Sequence, residues 1–293
     1  MDLCEGDFRK QQFILAFSVG FLSGLPLQAP TRQVILLVNT TTYYEFPLNE
    51  RIRVFMRLEQ LFLQLDHFLA GTTVWDKRGA ISILLDILTI FSHNDLKSEI
   101  LKELDRHSKI LHQIASSDGV DTGKLQEILT ELNQISKNIY AANGKIGIAV
   151  MDSELFQSIS QRSSIPGGTC SFDLPAFHYW LEQDEIQQQK DMQHWTRPFA
   201  NIRTAIDLVL KFIRQSSPPK KEIAEAGFYQ STLDSSLPYQ LLRVGIDRSI
   251  PCFAEISGGK HRFTVRFMTP SSDGERPTQN TNDIPFELTR CLF

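Results

Sequence analysis

Lys260, Arg262 and Arg266 stand at alternate positions of the run GGKHRFTVRFM, Gly258 to Met268. Alternate side chains of a strand share a face. An extended backbone here gathers Lys260, Arg262, Thr264 and Arg266 on one side and His261, Phe263, Val265 and Phe267 on the other. The first side is a cationic row and the second is core. At about 3.3 Å per residue, Arg262 and Arg266 are about 13 Å apart, a spacing suited to an extended anionic partner. The chemistry in reach is recognition of an anion: a guanidinium fork holds a carboxylate in two parallel hydrogen bonds, which an ammonium does not reproduce. The same pattern describes, more simply, an antiparallel strand whose charged face is solvated, and periodicity leaves both readings open. Gly258 and Gly259 bring the positive-φ tolerance that a tight connection into such a strand uses.

Covalent chemistry finds less support. The chain has no GxxxxGK[ST], GxSxG or HExxH run, the spacings that cradle phosphates, present a nucleophilic serine or bind zinc. Cys170 follows the Gly-rich turn SIPGGTCSFD, but the residue six positions on is Ala176, where a phosphatase loop needs arginine. Cys170 and His178 as a thiol and base pair stand against Cys170 as a small buried residue and His178 as a packed member of the aromatic run FHYW. His107 and His112 are five apart and do not form a metal pair on one helix face. The four cysteines, Cys4, Cys170, Cys252 and Cys291, form no CxxC pair, which indicates neither a zinc ribbon nor a disulfide framework and fits a reduced cytoplasmic setting. No catalytic residue, no metal site and no cofactor are expected.

The elements that position these residues follow from periodicity. TTTYYEF, Thr40 to Phe46, is β-prone, and Asn49 caps a helix from Glu50 to Ala70 that stops at Gly71. Further helical patterns run from Asp76 to Phe91, from a cap at Asn94 to about Ile114, through Leu125 to Ile139 after a loop at Ser116 to Gly123, and near Asp152 to Arg162. Beyond the loop Ser164 to Asp173, Pro175 opens a helix carrying His178, a polar helix covers Gln183 to Gln193, and Pro198 opens one reaching Ile213. Successive helices with short connections imply an antiparallel bundle. Ser216 to Lys221 is the best linker. After it every periodic segment reads as strand: Glu222 to Thr232, Tyr239 to Asp247, Cys252 to Ser257, Lys260 to Met268 and Pro285 to Leu292, with a polar loop from Pro270 to Asp283. The expectation is an α+β chain: an N-terminal antiparallel helical bundle over 39–217, its first residues able to join the sheet, then a mainly antiparallel β domain over 218–293. Residues 1–38 hold an apolar run, Phe13 to Leu27, too short and interrupted for a membrane span. A signal peptide is opposed by the acids Asp2, Glu5 and Asp7, leaving a disordered or mis-started extension. The formal net charge of -4 over 293 residues argues against a protein that coats nucleic acid.

The runs EFPLNERIR (Glu45 to Arg53), ILKELDR (Ile100 to Arg106), SIPGGTCSFDLPAFHYWL (Ser164 to Leu181), IRQS (Ile213 to Ser216), GFYQ (Gly227 to Gln230) and ISGGKHRFTVRFM (Ile256 to Met268) resemble, in order from about Thr40 to the C-terminus, the ZapD family of bacterial cell-division proteins. The resemblance implies a cytoplasmic homodimer with a helical and a β domain that binds the C-terminal tail of the tubulin-like protein FtsZ and cross-links its filaments into bundles at midcell. It implies no enzyme activity, no nucleic acid and no membrane. It also implies a positively charged tail-binding surface on the β domain, for which the matching motif residues are His178, Arg262 and Arg266, with Lys260 as neighbour. Two departures stand out. Residues 1–38 have no counterpart in the family pattern, which suggests a start codon placed too far upstream, and where the helical side would add arginines this sequence has His93 and Glu154. The competing reading of the same row is a nucleic-acid or phosphate-binding regulator that uses Lys260, Arg262 and Arg266.

Overall fold

The structure, a computed structural model, describes residues 40–293 apart from 94, 116–120, 143 and 272–273. The expected extension over 1–38, its signal-like run, Cys4, the Asn94 cap and most of the 116–123 loop lie outside the described residues. The chain divides into two compact units, one made of residues up to 53 with 112–122 and 210–293, the other of 54–111 and 123–209.

The second unit is helical. Its elements are α1 (Glu50–Ala70, whose first turn falls in the first unit), α2 (Val74–His93), α3 (Leu96–Ile114), α4 (Thr122–Ala141), α5 (Ile148–Met151), α6 (Glu154–Arg162), α7 (Pro175–Leu181), α8 (Glu185–Thr196) and α9 (Ala200–Gln215, which ends in the first unit). Steps of three and four put Phe55, Leu58, Phe62 and Leu65 of α1 on one buried face, and Leu125, Ile128, Leu132, Ile135 and Ile139 do the same for α4. Each such side chain contributes about 1.5–3 kcal/mol by leaving water. The ends are capped by local chemistry. Asn49 Oδ1 accepts from Ile52 N–H at 3.0 Å before α1. Thr73 and Asp76 form a reciprocal box at the start of α2, with Asp76 N–H donating to Thr73 Oγ1 and Thr73 N–H to Asp76 Oδ2. The expected helix near Asp152 to Arg162 is α6, which starts at Glu154 because Ser153, with ψ 129°, is extended and separates it from the short α5. Pro198 sits in a 3-10 turn, Arg197–Phe199, and the α-helix begins only at Ala200.

The first unit is a sandwich of two antiparallel sheets. β1 (Thr41–Pro47), β4 (Tyr239–Asp247), β8 (Ile284–Leu292) and β2 (Lys220–Ala224) form one sheet in that order. β3 (Phe228–Thr232), β6 (Arg262–Thr269) and β5 (Phe253–Gly258) form the other, and the short β7 (Thr278–Gln279) inside the expected polar loop pairs with the end of β6. Leu242, Val244 and Leu288 of the first sheet share one core with Phe263, Val265 and Phe267 of the second. The last turns of α9 attach to the four-stranded sheet. Phe212 stacks on Phe293 at 6.1 Å, Leu292 N–H donates to Ser216 Oγ at 2.8 Å, and Arg214 joins Arg243 in clasping the Glu45 carboxylate of β1.

One expected strand is two. Glu222 to Thr232 splits into β2 and β3, which belong to different sheets, because the chain turns a corner at Ala226 (φ 46°) and Gly227 (φ 72°). The corner is held from the 279–283 segment: Ala226 N–H donates to Asp283 Oδ1 at 2.9 Å, and Gln279 Nε2 donates to Ala226 O at 2.9 Å. Period-two patterning continues through the corner and so conceals it.

Candidate functional site: the outer face of the three-stranded sheet

β6 is the middle strand of its sheet, and its alternation is resolved as the sequence suggests: Phe263, Val265 and Phe267 are buried inward, while Arg262 and Arg266 are exposed outward with Thr264 half-buried between them. Lys260 and His261 depart from expectation. β6 begins at Arg262, so both lie in the connection from β5, both are exposed, and His261 is not on the core face. The connection is wider than a two-residue turn. Gly259 N–H donates to Arg262 O at 3.0 Å, and His261 O accepts from Leu233 N–H at 2.8 Å. Nor do its glycines use positive φ, since neither Gly258 nor Gly259 adopts it. At Gly258 the requirement is space: a Cβ there would sit 3.0 Å from Phe263 Cβ.

Ladder register supplies the neighbours. Arg266 is paired with Phe228 on β3 and Glu255 on β5, Thr264 with Gln230 and Ser257, and Arg262 with Thr232. Directly paired residues project to the same face, and Phe228, Gln230, Thr232, Glu255 and Ser257 are all exposed. Arg262 and Arg266 form no side-chain hydrogen bond or ion pair with the described residues. The inner side of the sheet is braced. Arg290 of β8 donates to Tyr229 Oη and Ser231 Oγ, both at 3.1 Å, and its guanidinium lies 5.6 Å from the Phe263 ring centre. The outward arginines thus stand on a packed and pinned platform.

His178 lies in the helical unit, on α7, exposed with Tyr179 while Phe177 and Trp180 are buried. Its Nδ1 is 4.0 Å from Glu182 Oε1, one turn on. Arg262 and Arg266 therefore share one face of one strand, Lys260 stands in the connection before them, and His178 belongs to the other unit. His93 ends α2 with Nδ1 2.8 Å from Thr89 O, beside a cavity of about 230 Å³ also lined by Lys97 and Lys145. Glu154 is exposed in the first turn of α6.

The Gly-rich loop is a built turn. Ile165, Gly168, Cys170, Asp173 and Leu174 N–H groups all donate to carbonyls within 162–170, so these amides are not presented to an anion. Arg78 Nη1 donates to both Thr169 O and Thr169 Oγ1 at 3.1 Å, and Arg162 pairs with Asp173 at 2.7 Å. Gly168 is required by space, since a Cβ would meet Arg162 O at 2.6 Å. Cys170 is exposed rather than buried, because the turn points its side chain outward, and it has no hydrogen bond to His178. The buried thiol is Cys291, pushed up to about 12 by burial. Among the described residues no group of three metal-ligating side chains occurs, and no helix is long and apolar enough to cross a membrane.

Glu255 and Phe228 escape a reading confined to β6. A signal for Glu255 existed: antiparallel pairing across the β5–β6 connection sets Gly258 opposite Phe263 and therefore Glu255 opposite Arg266. Phe228 had none, because its strand is delivered by the corner at 226–227.

Residues 56–266 match the model of the family described as ZapD, cell division protein. A cell division protein ZapD of Methylococcus capsulatus is 47% identical over 250 residues, covering 85% of this chain and 98% of its own. One from Aromatoleum aromaticum is 38% identical over 248 residues, covering 85% and 96%. One from Nitrosomonas eutropha is 38% identical over 248 residues, covering 85% and 98%. With one family model matching most of the chain and relatives aligned over nearly their whole length, the chain belongs to the ZapD family of cell division proteins.

Proposed function

We propose that this chain acts without catalysis, as a cytoplasmic, dimeric cell-division factor that binds the C-terminal tail of FtsZ through the outer face of the three-stranded sheet and bundles FtsZ filaments at midcell. The observation that carries the reading is the pair Arg262 and Arg266, outward on one strand and without partners of their own among the described residues. Lys260 adds charge at the same end, and His178, exposed on the helical unit, is a separate candidate contact for the tail. Each charge-assisted hydrogen bond to a tail carboxylate contributes about 1.5–3 kcal/mol, less where water screens it. A nucleic-acid ligand would call for a longer basic track. Here Glu255 flanks the row at Arg266 and the net charge is -4, which favours a short acidic peptide. A dimer carrying one such face per protomer holds two filaments, and tethering raises the effective concentration of the second contact, so weak single contacts suffice for bundling.

The test is co-sedimentation with FtsZ filaments that have or lack the tail. The protein should pellet with complete filaments only. Equal pelleting with tail-less filaments would overturn the proposed mode of binding.

A further inference from the structure

The outer face of the sheet is not uniform along β6, and the difference is set by the neighbouring strands. At the β6 start, Arg262 is paired with Thr232 on β3, and the β5 ladder has already ended at Gly258, opposite Phe263. No carboxylate is in register with it. Four residues on, Arg266 has Glu255 on one side and Phe228 on the other. Two residues further, Met268 is paired with Phe253 on β5 and with Gln279 on β7, whose side-chain amide is already bonded to Ala226 O. Phe228, Phe253 and Met268 do not belong to the core between the sheets, which agrees with their outward parity, and Phe228 is 37% exposed. The face therefore grades from an unopposed cation at Arg262, through a cation matched by a carboxylate, to an apolar end. At about 3.3 Å per residue this gradient spans about 20 Å from Arg262 to Met268.

We propose that Glu255 is a specificity-determining residue of this face: it opposes an incoming carboxylate at Arg266, so that the site selects a segment carrying its acidic groups at one end, over Arg262, and apolar side chains at the other, over Phe228, Phe253 and Met268. Side chains directly opposite on adjacent strands have Cβ atoms about 4.5–5.5 Å apart, so the Glu255 carboxylate lies within reach of any anion that approaches the Arg266 guanidinium. Like charges so placed repel, and discrimination built on repulsion accepts some loss of affinity in exchange for choice of partner. This inference rests on the reading of the face as a peptide site.

Two capped ten-residue peptides of identical composition test it, one with both aspartates at one end and its leucines and phenylalanine at the other, the second with one aspartate at each end. NMR titration of the full chain should show tighter binding of the first. Glu255→Gln should strengthen binding of the second at least about threefold and leave the first within about twofold. Phe228→Ser should weaken only the first. Both substituted positions are exposed, and circular dichroism checks that each variant is folded. Equal response of both peptides to Glu255→Gln, preference of the unaltered protein for the second peptide, or binding of neither would overturn the inference. Peptide selection that persists while sedimentation proves independent of the tail would overturn the FtsZ reading alone. Tail-dependent sedimentation without peptide selection would overturn this inference alone.

Discussion

Guanidinium groups in the β unit serve two kinds of role, and substitution separates them. Arg214 and Arg243 both donate to Glu45, whose side chain is only 16% exposed. Arg290 is spent on Tyr229 and Ser231. Arg262 and Arg266 have no such duty. Arg262→Glu with Arg266→Glu is therefore expected to abolish sedimentation with FtsZ filaments while the thermal midpoint stays close to that of the unaltered protein. Glu45→Ala is the converse case. It removes the carboxylate that both half-buried guanidinium groups share and should cost about 2–3 kcal/mol in a urea titration, below the roughly 3–5 kcal/mol of a fully buried pair because water still reaches the site. A double variant at 262 and 266 that is folded and still sediments would show the row to be a solvated face.

Among the elements, the corner between β2 and β3 matters most to the site, because it sets Phe228 opposite Arg266. Gly227 has φ 72°, its carbonyl accepts from Phe267 N–H at 2.8 Å, and a Cβ there would stand 2.4 Å from Asn280 O. The left-handed backbone alone disfavours a side chain by about 1–2 kcal/mol, and the obstacle is main chain rather than a movable side chain. Gly227→Ala is thus expected to destabilise by about 2 kcal/mol or more in equilibrium unfolding. Ala226, with φ 46°, is the one non-glycine residue in positive φ among the described residues, and Ala226→Gly should be neutral or stabilise by up to about 1 kcal/mol. The opposite order of these two effects would contradict the corner as described.

For the whole molecule, the proposed bundling would need two tail sites on one particle. Light scattering at bundling concentrations should give the mass of a homodimer, and undiminished bundling by a monomer would contradict the two-site scheme. How much of this is legible in the sequence depends on the range of the interactions involved. Helical period in α1 and α4, the Asn49 cap, and the apolar and cationic alternation of Arg262 to Phe267 are encoded within a few residues of each position and can be read from the chain alone. The ordered motifs likewise carried the family. That 222–232 is two strands, that Lys260 and His261 precede β6, that Cys170 faces outward, and that Glu255 and Phe228 flank Arg266 emerge only once the chain is folded. Each of those outcomes depends on partners far along the chain, such as Asn280 beyond the corner at Gly227 and Leu233 bonded to the His261 carbonyl. A period of two shows which face a residue occupies, and strand register, which is non-local, selects its neighbours there.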